Sequence, residues 1–183
     1  MTFRSTATVV ALTGASVLGK PVPGEPTFTE RLLAAYRAAG LAVSVIKHAP
    51  DGFDIDTPGK ASHRRREAGV GETMLVGDRR LVLFKEYGEG RGEPPLHALL
   101  RRLDPVDLVL VEGFRAAAVP TLEIHRPSSG RTPRWRHNPF VVAVASDEAC
   151  EAPVPVFALS DLEGIARFMA APRHGAVSRL KAV

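Results

Sequence analysis

Residues 8–36 read TVVALTGASVLGKPVPGEPTFTERLLAAY, and this stretch decides the fold. The apolar run at 8–13 ends in glycine, as a buried strand does. Gly14, Gly19 and Lys20 then follow with the spacing G-x-x-x-x-G-K. A helical pattern covers 27–39: Leu32, Leu33, Tyr36 and Ala39 fall near one stripe, Thr27 and Glu30 have capping-box spacing, and Gly40 marks the stop. In a strand, glycine loop and helix of this kind, backbone N–H groups cradle phosphates and the lysine neutralises them. The pattern asks for Ser or Thr directly after the lysine, because that hydroxyl holds the Mg²⁺ of a bound nucleotide. Pro21 stands there instead. Pro21, Pro23, Gly24 and Pro26 also delay the helix, whose positive dipole end normally faces the phosphates. Two readings stay open. In one, nucleotide is still bound by Gly14, Ala15, Ser16, Gly19, Lys20 and Thr27, with Thr27 or Thr29 replacing the absent hydroxyl. In the other, the loop is degenerate and binds nothing.

The rest of the chain extends the same alternation. Strands are expected at 42–47, 107–114, 121–126, 140–145 and 155–159, and helices at 60–68, 95–102 and 160–170, the last capped by Ser160. Residues 72–77 and 80–86 form a hairpin pattern around Gly77-Asp78. A long polar loop covers 48–58, and 127–139 (PSSGRTPRWRHNP) is a second long exposed loop. Alternating strands and helices with long apolar strands predict an α/β fold with a mainly parallel sheet between helical layers and a hairpin extension. The 183 residues suit one domain, expected over 1–170, with 171–183 as a flexible tail. No apolar run approaches the roughly 20 residues that span a bilayer, and no membrane partner is expected. The first residues lack a signal-peptide pattern, and the lone Cys150 has no internal partner, so the expected location is the cytoplasm. A net charge of +4 suits a phosphorylated ligand.

Other segments carry chemistry beside the loop. DLVLVEGF (107–114) is a hydrophobic strand ending in Glu112 and Gly113, the usual partner of a phosphate loop, with the carboxylate meeting Mg²⁺ or its water. In FDID (53–56), Asp54 and Asp56 face one side of an extended segment, as a Mg²⁺ site needs, or else belong to a solvated loop. His48 with these aspartates lacks a zinc spacing. Arg64, Arg65 and Arg66 are consecutive, so on a helix they fan out rather than form a stripe. Arg134, Trp135 and Arg136 could stack on a ring system, but no recognisable nucleic-acid module accompanies them. No nucleophile–base arrangement is visible, and no catalytic residue is assigned.

VSVIKHAPDGFDIDTPGKASHRRREAGV (43–70), followed by DLVLVEGF, TLEIHR and VVAVASD, resembles the molybdopterin-guanine dinucleotide biosynthesis protein B (MobB) family. The resemblance runs from the first strand to the final helix, and FDID-x-PGK with the downstream REAG is its most specific part. It implies a P-loop NTPase fold and a homodimer with an extended sheet. It further implies binding of GTP with Mg²⁺, at most weak GTPase activity, and assistance to the guanylyltransferase that joins GMP to molybdopterin. Molybdopterin itself becomes a candidate ligand. By position, Gly14, Gly19 and Lys20 match the family's phosphate loop, and Asp54, Asp56 and Glu112 match its acidic positions. The departure is GKPVPGEPTFTERLL, where the family runs straight from G-K-T-T into the helix. A docking adaptor without nucleotide, or a weak GTPase with a substitute Mg²⁺ ligand, are the alternatives.

Overall fold

The computed structural model describes residues 7–14, 22–49, 53, 56–88, 92–114 and 118–171. They form two compact units, one made of residues up to 48 together with those from 96 onward, the other of 49–95.

The first unit is built on strands β1 (Thr8–Thr13), β2 (Val43–Lys47), β5 (Leu108–Glu112), β6 (Thr121–His125), β7 (Val141–Ser146) and β8 (Val156–Ala158). They make one sheet in the order β2-β5-β1-β6-β7-β8, and every neighbouring pair is parallel. The alternation of side chains sorts the two faces. Val10, Leu12, Leu108, Leu110, Leu122 and Ile124 lie on one face. Ala11, Val109 and Val111 lie on the other. Against the first face pack α1 (Phe28–Ala38) and α4 (Leu162–Met169), and against the second the short α3 (Leu96–Leu100) with Leu103 and Val106. This is the expected parallel sheet between two helical layers.

Helix α1 starts where the prolines end. Thr27 caps it: its Oγ1 accepts the Glu30 N–H at 3.3 Å, and the Glu30 carboxylate accepts the Thr27 N–H at 2.7 Å. The capping box is thus as expected, and Phe28, Leu32 and Tyr36, four apart, are the residues it buries. Each large apolar side chain taken fully from water contributes about 2–3 kcal/mol. Tyr36 is fully buried, its hydroxyl has no hydrogen-bond partner among the described residues, and burial pushes its pKa up.

The cap of α4 differs from expectation. Asp161, not Ser160, accepts the Gly164 N–H, at 3.0 Å. Ser160 sits in the preceding turn, where its carbonyl accepts from Leu162. Helix α3 covers five residues, shorter than the expected 95–102, because 101–103 turn away through Leu99 and Leu100 carbonyl bonds. No helix among the described residues is long and apolar enough to cross a membrane.

The second unit contains α2 (Ala61–Glu67) and the antiparallel hairpin β3 (Glu72–Gly77) and β4 (Arg80–Lys85), with Asp78 and Arg79 at the turn. The three arginines fan out as expected. Arg64 donates to the Gly59 carbonyl at 2.7 Å, while Arg66 reaches Glu86 at 2.7 Å and lies over the Phe84 ring at 5.5 Å.

Candidate functional site

The chain leaves β1 at the point where the sheet reverses its direction of growth. The connection through α1 leads to β2 on one side, whereas β6, β7 and β8 extend the other. In parallel α/β sheets the crevice outside the strand carboxyl ends at this point is where ligands bind. Gly14 is the first residue past β1, with φ +80°. A Cβ built there would lie 2.1 Å from the backbone oxygen of Ile124 on β6. Only glycine lets the loop leave at this angle.

Glu112 ends the neighbouring strand. It pairs in register with Leu12 on β1 and with Lys47 on β2, so backbone ladders fix it from both sides. Gly113 follows with φ +84°, and a Cβ there would come within 2.9 Å of the His48 carbonyl. The His48 N–H donates to the Glu112 carbonyl at 2.8 Å, and the His48 ring lies 5.2 Å from Phe114. Two strand ends, each released by a glycine, therefore turn side by side.

Helix α1 adds a hydroxyl to this edge. The Thr29 Oγ1 donates to Glu112 Oε1 at 2.6 Å, across 83 residues of sequence. Thr27 does not share this role, since its hydroxyl is engaged with Glu30 in the cap. Of the two threonines considered, the structure places Thr29 against the acidic strand end.

A further carboxylate was not singled out from sequence. Glu123, inside β6 and paired in register with Thr13, is 3% exposed. It accepts the backbone N–H groups of Arg134 at 2.8 Å and Trp135 at 3.0 Å. The half-buried Trp135 ring meets His125 edge-on at 4.9 Å. Arg126 pairs with Asp147 at 2.6 Å. The 127–139 segment is largely exposed, as expected of this loop, and is held at two short 3₁₀ turns, Pro127–Ser129 and Arg134–Arg136. The available signal was a glutamate within TLEIH, a strand otherwise dictated by burial.

Asp56 belongs to the second unit, and its carboxylate is engaged there. It accepts from Ser62 Oγ at 2.8 Å and from the Thr57 N–H at 3.0 Å, and it pairs with Arg66 at 3.4 Å. Ala15, Ser16, Gly19, Lys20 and Asp54 lie outside the described residues.

The donor set selects the kind of cation these residues suit. Among the described residues no three His, Cys, Asp or Glu side chains come together. A Mg²⁺ ion keeps several waters and phosphate oxygens and takes only one or two protein oxygens. The Glu112 carboxylate with a hydroxyl bonded to it fits that demand.

Comparison with known proteins matches residues 9–147 to the family described as molybdopterin guanine dinucleotide synthesis protein B (MobB). The chain belongs to the MobB family. A MobB relative from Escherichia coli, named molybdopterin-guanine dinucleotide biosynthesis adapter protein, is 34% identical, with 80% of this chain and 85% of the relative aligned. A protein of the same name from Haemophilus influenzae is 30% identical, with 84% and 85% aligned. Among solved folds, a crystal structure of MobB matches with a TM-score of 0.62 at 20% identity, covering 88% of this chain and 95% of the other. Bacillus subtilis MobB gives 0.61 at 19% identity, covering 89% and 96%. The α/β architecture with its parallel sheet is the one shared with these MobB structures.

Proposed function

We propose that this chain is an accessory protein of molybdopterin guanine dinucleotide biosynthesis, which binds GTP and presents it to the guanylyltransferase that uses it. Two relatives bearing the adapter name support the pathway. The observation that carries nucleotide binding is the pair of strand ends at the switch point, where Gly14 opens the loop and Glu112 stands beside it. In this reading Gly14, Ala15, Ser16, Gly19 and Lys20 hold the phosphates, and Glu112 lies on the side of the Mg²⁺ ion. A divalent ion would neutralise phosphate charge when bound. The chain's own contribution is to shape the loop and fix the carboxylate. The anchored Arg134–Trp135–Arg136 turn is the proposed contact for molybdopterin, a phosphorylated ring system. Any hydrolysis is at most weak, as the family resemblance implies. The cytoplasm is the proposed location.

The hairpin supports a homodimer. Met74, Leu75, Val76, Leu81 and Leu83 are all exposed, Val76 by 74%. A two-stranded ribbon is marginal alone, and exposed apolar groups of this kind mark an interaction surface.

Calorimetric titration of GTP with the full chain and with Lys20→Ala tests the reading. Micromolar binding weakened by the substitution is expected. A docking adaptor that handles no nucleotide is the competing reading, favoured by the same exposed hairpin. It requires an unchanged Tm at saturating GTP and Mg²⁺, since a ligand that binds the native state must stabilise it.

A further inference from the structure

We infer that Thr29, from the first turn of α1, supplies the metal-side hydroxyl that Pro21 removes from the phosphate loop. The inference rests on the nucleotide-binding reading and names the residue that makes it chemically complete. A phosphate loop of this kind needs an oxygen ligand on its helix side, placed next to the acidic strand end. The position directly after Lys20 cannot provide one, because proline has neither hydroxyl nor N–H. Thr29 lies nine positions beyond Lys20 in sequence, yet its Oγ1 is 2.6 Å from Glu112 Oε1.

The direction of that hydrogen bond matters. An ionised carboxylate only accepts, so the hydroxyl proton points to Glu112 and the lone pairs of Oγ1 point away from it. A hydroxyl held in this way presents oxygen, not hydrogen, to whatever lies beyond. Oxygen donors of this sort suit a hard, small cation. The acceptor is itself fixed, because Glu112 is laddered to Leu12 on one side and Lys47 on the other. The donor is fixed as well. Thr29 follows Phe28, which is buried in the core, and precedes Glu30, which closes the cap on Thr27. The capping box thus sets the phase of α1 so that Thr27 serves the helix and Thr29 faces the strand end. The prolines and glycine of 21–26 are the length of chain that moves the helix start away from the lysine.

The test is GTP binding by calorimetry, with EDTA and with saturating Mg²⁺, for the full chain, Thr29→Val and Thr29→Ser. Valine keeps the shape and removes the oxygen, while serine restores it. Manganese binding in the presence of GTP, read by electron paramagnetic resonance, gives a second readout free of any turnover. The expected result is that Thr29→Val leaves GTP affinity in EDTA unchanged and loses the gain from Mg²⁺, with Mn²⁺ affinity down about tenfold or more. Thr29→Ser retains both. A Thr29→Val protein that still gains affinity with Mg²⁺ and binds Mn²⁺ normally overturns the inference alone, leaving Thr29 as a strand–helix tie. A parent chain that binds no GTP in either condition overturns the nucleotide-binding reading, and this inference with it.

Discussion

The approach of Gly14 to β6 can be measured by comparing two glycines of almost equal φ. Gly14 has φ +80° and Gly40, just past α1, has φ +79°. Replacing either by alanine forces an L-residue into the left-handed region, at a cost of about 1–2 kcal/mol. At Gly40 that is the whole effect, since a Cβ there meets nothing within 4 Å among the described residues. At Gly14 the new Cβ would lie 2.1 Å from the Ile124 oxygen, a backbone atom that no rotamer change can move. Ordinary carbon–oxygen contacts are about 3.3–3.6 Å, so β1 and β6 must part by about an ångström. The ladder there joins Leu12 to Leu122 and Thr13 to Glu123, and a buried backbone group left unpaired costs about 1–3 kcal/mol. Gly14→Ala should therefore be about 2 kcal/mol less stable than Gly40→Ala, a Tm gap of about 4–8 °C for a chain of this size. Thermal unfolding followed by circular dichroism reads this directly. Equal losses at the two sites would refute the close approach.

Tyr36→Phe removes a buried hydroxyl that has no partner among the described residues, so urea unfolding should show stability unchanged or raised by up to about 1 kcal/mol. Glu123→Gln weakens the hold on the Arg134 and Trp135 amides, and because Trp135 is the only tryptophan, its fluorescence should shift to the red and become more open to quenchers. The Thr27 backbone N–H, and then its hydroxyl, hold the Glu30 carboxyl below its ordinary value of 4.5. A depressed pKa means the stabilisation is full above that value and is lost as pH falls through the folded one. Glu30→Gln should flatten this acid limb of the stability profile, and Thr27→Ala should cost about 1 kcal/mol at neutral pH through the lost cap.

What could be read from the residues alone follows the range of the interactions involved. The capping box, the strand ending in Glu112-Gly113 and the hairpin turn depend on neighbours within a few positions, and their spacing announces them. The choice between Thr27 and Thr29 does not, because it depends on the phase of α1 against a strand end 83 residues away. Ser160 and Asp161 are both acceptable caps in sequence, and the carbonyl turn before α4 decides between them. Glu123 stayed hidden for a different reason. Its partners are backbone amides 11 and 12 residues downstream, and backbone amides leave no trace in composition. The neighbour-but-one spacing of Asp54 and Asp56 suits a Mg²⁺ site or a solvated loop alike, and it carries no sign of Ser62 and Arg66, which bond the Asp56 carboxylate within its own unit.

The strand order also governs when the protein can be assembled. β1 has no partner until β5 arrives about a hundred residues later in synthesis, and β2 waits for the same strand. Between them the chain delivers α2 and the β3–β4 hairpin, whose contacts are local and whose pairing closes within microseconds. The nascent chain thus carries two unpaired strands, the central β1 and the edge strand β2, past a hairpin that is already made, and their apolar edges stay open to other chains for that interval. The arrival of residues 108–112 closes both edges together, so the strand that carries Glu112 is also the one on which the centre of the sheet depends for its completion.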